Sequence, residues 1–60
     1  METPEVMTID DVARYLKISR RSVYRLAQAG EIPARKIVNR WRFHRSDIEE
    51  WLRRKGERRT

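Results

Sequence analysis

Apolar residues recur along this 60-residue chain with two different periods, and the switch between them divides it into elements. Ile9, Val12, Ala13 and Leu16 share one side of a helix, with Arg14 and Lys17 opposite, which predicts a first helix over about Ile9 to Lys17. Thr8 followed by Asp11 resembles a capping box, and Asp10 with Asp11 places negative charge at the helix's positive end. A second helical stretch, SRRSVYRLAQAG from Ser19 to Gly30, sets Val23, Leu26 and Ala27 on one side and Arg21, Tyr24, Arg25 and Gln28 on the other. Ser19 can accept a backbone N–H bond as its cap, and Gly30 is the residue type that ends a helix in the left-handed conformation. Only Lys17, Ile18 and Ser19 separate the two helices, so their apolar faces must meet at a steep angle, as in a helix-turn-helix.

After Gly30 the period falls to two. Pro33 cannot continue a helix, and ARKIVNRWRFH from Ala34 to His44 is β-branched and aromatic, which predicts a small hairpin. Trp41 and Phe43 then share one face, while Arg40, Arg42 and His44 share the other. A two-residue turn at Val38-Asn39 would need positive φ at both positions, which Val resists, so a three- or four-residue loop with Asn39 alone left-handed is expected. Helical spacing returns at Ile48, Trp51 and Leu52. Ser46 and Glu49 form a Ser-x-x-Glu capping signal, which predicts a third helix from about Asp47 to Lys55, stopped by Gly56.

The fold class expected is mainly α with a small β-hairpin, a winged helix-turn-helix in the order α-α-β-β-α. It should occupy residues 8–55, between a flexible lead-in at 1–7 and a flexible tail or linker at 56–60. The expected core is Ile9, Val12, Leu16, Ile18, Val23, Leu26, Ile32, Trp41, Phe43, Ile48, Trp51 and Leu52.

Composition narrows what such a fold can do. Sixty residues make one domain with no room for a large enclosed active site. His44 is the sole histidine and there is no cysteine, so no metal site is expected. The paired carboxylates Asp10-Asp11 and Glu49-Glu50 are explained by helix starts, and Gly30 and Gly56 make no phosphate loop. No catalytic residue, metal or cofactor is therefore assigned, and the chain is not expected to be an enzyme. No apolar run is long enough to span a bilayer, and METPEV lacks the order of a signal peptide, so a cytoplasmic, nucleoid-associated protein with no membrane partner is expected.

Fifteen basic residues against nine acidic give a net charge of +6, and twelve of the fifteen are arginine. The guanidinium's planar fork pairs with phosphate or guanine through two bonds at once, which points to nucleic acid. Arg20, Arg21 and Arg25 from the second helix and Lys36, Arg40 and Arg42 from the hairpin should converge on one side. The acidic residues Asp10, Asp11, Asp47, Glu49 and Glu50 should lie away from it, at helix starts.

This pattern predicts that the second helix enters the major groove of double-stranded DNA, with Ser19, Arg20, Arg21, Ser22, Tyr24, Arg25 and Gln28 as the recognition-helix set. The wing residues Lys36, Asn39, Arg40 and Arg42 would lie on the backbone or the neighbouring minor groove. For Tyr24 the alternative is half-buried packing, and its place among Arg21, Arg25 and Gln28 favours contact. Arg53, Arg54, Arg58 and Arg59 are adequately explained as a solvated helix end.

The order TIDDVARYLKISRRSVYRLAQAGEIPARKI followed by RWRFHRSDIEEWL resembles the excisionase-type helix-turn-helix DNA-binding domain of the MerR-like winged-helix superfamily, over about Met7 to Leu52. The resemblance implies duplex DNA binding through the second helix and the wing, with DNA-facing positions at Arg20, Arg21, Tyr24, Arg25, Asn39 and Arg40. It further implies a bacterial or phage protein acting in transcription regulation, or an excisionase-like architectural factor in DNA recombination, with neighbouring copies of itself or a recombinase as partners. Similar chains commonly carry glycine at the hairpin turn, where this one has Val38. A reading from another class, a protein-interaction or RNA-binding module using the basic face, stays open at this point.

Overall fold

Both halves of the first capping box form. Thr8 Oγ1 accepts from the Asp11 amide at 3.2 Å, and the Asp11 carboxylate accepts from the Thr8 amide at 3.0 Å. Two of the helix's unpaired donors are satisfied in this way, which fixes where it begins. A computed structural model describes residues 5–58, with side chains through residue 56. Along the chain it holds β1 (Val6–Met7), α1 (Ile9–Leu16), α2 (Arg20–Gln28), β2 (Arg35–Ile37), β3 (Arg40–His44) and α3 (Arg45–Arg58). The expected order α-α-β-β-α is present, preceded by one short additional strand. Residues 1–4 of the expected lead-in and 59–60 of the expected tail lie outside the described residues.

Helices α1 and α2 end by the same device. Gly30, at φ +72°, donates its amide to Ala27 O at 3.2 Å, and Glu31 donates to Leu26 O at 2.9 Å, a Schellman wrap that satisfies the last carbonyls. At the end of α1 the left-handed position is Lys17, at φ 60°, and Ile18 donates back to Ala13 O at 3.0 Å. The three-residue connection is short because one of its residues turns left-handed. That reversal also carries Ile18 outward: expected in the core, it is 38% exposed.

The sheet is antiparallel with strand order β1-β3-β2. Val6 pairs with His44 and Met7 with Phe43, so Met7 stands on the Phe43 face and is fully buried. Counting Met7 with the lead-in understates it: a single methionine in a polar context gives no periodicity, yet its long, flexible side chain fills the space under the sheet. The hairpin turn also differs from expectation. Ile37 pairs with Arg40, leaving a two-residue turn in which both Val38 (φ 49°) and Asn39 (φ 63°) are left-handed. This is the type I′ arrangement, whose twist matches the flanking strands; pairing and inward aromatics override the preference of Val38.

The third helix begins earlier and ends later than predicted. The Arg45 amide donates to Glu5 O at 2.9 Å, so sheet bonding runs up to Arg45 and the helix starts directly from the strand. Ser46 therefore lies inside the first turn instead of capping it, and Glu49 is within 3.9 Å of Arg45 Nε. Gly56 sits within α3 and does not take a positive φ.

The core joins Met7, Val12, Val23, Phe43 and Ile48, all essentially inaccessible, with Ala13, Ala27 and Ile32. Ile9, Leu16, Leu26, Trp41 and Trp51 pack on it in part. Leu52, expected inside, is 45% exposed, because a three-strand sheet offers too little surface to cover the whole apolar stripe of α3. The Trp51 indole donates to Glu31 O at 2.9 Å, which ties α3 to the end of α2.

Candidate nucleic-acid interface

Helix α2 is held so that its polar half stays in solvent. Val23 and Ala27 are buried, whereas Arg20, Arg21, Tyr24, Arg25 and Gln28 are exposed, Tyr24 to 47%. Ser19 Oγ accepts from the Ser22 amide at 3.1 Å and lies 3.0 Å from Ser22 Oγ. These two serines, predicted as DNA-facing, are thus engaged in capping the helix.

One open concavity joins three elements. It is lined by Thr8, Ile9 and Asp10 at the start of α1, by Arg20, Arg21 and Tyr24 of α2, and by Asn39, Arg40, Trp41 and Arg42 of the hairpin. Six of the predicted site residues therefore surround one space: Arg20, Arg21, Tyr24, Asn39, Arg40 and Arg42. Arg25 and Gln28 lie on the same exposed half of α2, one turn further on. Among the described residues, Arg21, Arg25 and Arg40 form no ion pair with a carboxylate.

Arg20 is different. Its Nη1 lies 3.1 Å from Asp10 Oδ1, across the two helices. Asp10 is therefore not directed away from the basic face, as expected from its helix-start position, but stands within it and orients one arginine. Arg42 is oriented too, by donating from Nη1 to Trp41 O at 2.8 Å. Arg20 and Arg42 are set in place by these bonds, whereas Arg21, Arg25 and Arg40 stay exposed with no carboxylate partner among the described residues.

Lys36, predicted for the wing, is not among the residues that line the concavity. It pairs with Trp41, not Arg42, so it projects from the opposite face to Arg40 and Arg42, and its Nζ lies 5.5 Å from the Trp41 ring centroid. A three-residue loop at 38–40 would have paired Lys36 with Arg42; the one-residue difference in register reverses the face. Arg35 takes its place opposite Arg42. Like charges at directly paired positions repel, and an anion bound between them would relieve that. Trp41, expected in the core, packs partly on it and also lines the concavity, and its indole N–H is buried without an acceptor. Asp10 and Trp41 are residues of the concavity that sequence alone missed. Only the fold shows Asp10 against Arg20.

The chemistry available is that of charge and hydrogen bonding. Among the described residues no three of His, Asp or Glu converge to hold a metal ion, and no helix is long and apolar enough to cross a membrane. The concavity is a basic, partly aromatic surface bounded by a helix and a hairpin, which suits a polyanion with a groove and a ridge.

Comparison with known proteins agrees with this geometry. The chain is 31% identical over 48 residues to two proteins of Mycobacterium tuberculosis, "Putative DNA-binding protein MT0521" of strain CDC 1551 / Oshkosh and "Putative DNA-binding protein Rv0500A" of strain ATCC 25618 / H37Rv. Each match covers 80% of this chain and 62% of the relative. No solved structure matches the chain. The profile of the family described as "Helix-turn-helix domain" matches residues 6–56, from β1 into the last turns of α3, and the chain belongs to that family.

Proposed function

We propose that this protein binds double-stranded DNA, with α2 in the major groove and the β2–β3 hairpin as a wing on the adjoining backbone or minor groove. The observation that carries this is the single concavity in which Arg20, Arg21 and Tyr24 of the helix face Asn39, Arg40 and Arg42 of the hairpin. A helix with exposed Arg and Gln side chains has fitting partners there, since Arg bonds guanine through two atoms and Gln does so with adenine. The oriented Arg20 is the best placed for a directional contact, and the free Arg21, Arg25 and Arg40 suit phosphates of varying position. The names of the mycobacterial relatives support the same ligand.

The finer assignment is to the excisionase-type, MerR-like group, acting in transcription regulation from a position on the nucleoid. Its support is the run SRRSVYRLAQAGEIPA followed by RWRFHRSDIEEWL. Stimulation of a recombinase by binding to tandem sites would assign it to DNA recombination instead.

The test is equilibrium binding to duplex DNA across a salt series. Contact with about five phosphates gives a log–log slope near −4.5, a loss of a few hundred-fold in affinity between 50 and 200 mM salt. Arg21→Ala and Arg25→Ala should each weaken binding by about tenfold, corresponding to ~1.4 kcal/mol, while shifting Tm by no more than a degree or two. Unchanged binding by both variants would remove α2 from the interface. A preference for an acidic protein or for RNA over duplex DNA would assign the basic face to another ligand.

A further inference from the structure

The tip of the wing carries the residue least suited to its backbone. Val38 has φ 49°, a conformation that its branched Cβ opposes, and it is 86% exposed, so no packing within the domain offsets the strain. Ile37 beside it is 53% exposed. The tip is therefore apolar, although it is flanked by Asn39 and Arg40, which line the basic concavity. Strained, solvent-facing residues of this kind are found where a ligand is met, because the folded domain gains nothing from them.

We propose that Val38 is an apolar minor-groove contact that selects A·T over G·C base pairs at the wing's end of the DNA site. This rests on the assignment of the hairpin as a DNA-binding wing and goes beyond it by naming what the wing reads. Arg40 draws the tip to a groove walled by phosphates, and most strongly to the narrow, more negative groove of A·T-rich sequence. On the floor of that groove A·T and T·A pairs present acceptors only, whereas G·C adds the guanine 2-amino donor. A valine seated there strips water from the 2-amino group and offers no acceptor in return, so G·C is penalised. At A·T its methyl groups rest on the sugar edges without obstruction.

The experiment uses the site recovered by the wild-type protein from a random duplex library, remade with the wing-proximal positions as A·T, G·C or inosine·C. Inosine lacks the 2-amino group but keeps the major-groove face of guanine. Wild type is expected to bind the A·T and inosine·C duplexes about five- to tenfold more tightly than the G·C duplex. Val38→Asn, which accepts a left-handed φ and supplies an acceptor, should raise Tm by a few degrees and reduce that discrimination to under about twofold. The rise in Tm shows that the variant is folded. Equal binding of all three duplexes by wild type overturns the proposal while leaving duplex binding intact, as does undiminished discrimination in Val38→Asn. Failure of wild type to bind any duplex overturns the wing assignment as well.

Discussion

The two halves of the basic concavity are built on opposite terms. Helix α2 is held at both ends by residues suited to their positions. Ser19 caps its start, Gly30 takes the left-handed turn at its end, and Trp51 fastens that turn from α3 at 2.9 Å. The hairpin is held by inward-facing Phe43 and Trp41, and at its tip it closes through two left-handed residues, one of them β-branched. On the proposed assignment, α2 meets the major groove from a fixed frame, and the wing tip meets a groove whose width and floor vary with sequence, where a strained residue can be held by the contact it makes.

The comparison can be broken most severely at the residue both halves rest on. Phe43 is 2% exposed and lies on the inward face of β3 opposite Met7. Phe43→Ala should cost about 3–5 kcal/mol, enough in a domain of this size to abolish the cooperative thermal transition followed by circular dichroism. A variant that still melts cooperatively within a few degrees of wild type would show that the sheet does not organise the core.

A smaller effect sharpens the contrast between the two turns. At Gly30 an added Cβ would meet nothing within 4 Å, so any penalty comes from the positive φ alone. Gly30→Ala should destabilise by about 1–2 kcal/mol, opposite in sign to Val38→Asn. If both substitutions moved Tm in the same direction, the claim that one turn is relaxed and the other strained would fail. Smaller still, Trp51→Phe keeps most of the ring packing and removes the indole bond to Glu31 O, with an expected loss of about 1 kcal/mol in urea unfolding. No change would mean that the bond does not fasten α2.

What could be read in the sequence follows the same division. The start of α1 and both ends of α2 were legible because Thr8, Ser19 and Gly30 act on backbone groups within a few residues, and such interactions leave a local pattern. The exposed face of α2 was legible because helical spacing alone separates Arg21, Tyr24 and Arg25 from Val23 and Ala27. The hairpin tip was not, because its geometry is imposed from a distance by inward Trp41 and Phe43, against the preference of Val38. That single turn bears on the site, since the register it sets puts Lys36 over Trp41 on the face opposite Arg42. Met7 and the meeting of Asp10 with Arg20 depend on contacts between segments with no shared period, and the start of α3 depends on Glu5 claiming the Arg45 amide.

On the proposed function, α2 and the wing form one DNA-binding surface. This is tested most directly by following the backbone amide resonances of the 15N-labelled protein during titration with duplex DNA. The largest shifts are expected to fall together on residues 19–28 and 38–42, with the solvent-facing side of α3 around Arg53 unmoved. Shifts confined to α3, or absent from residues 19–28, would contradict it.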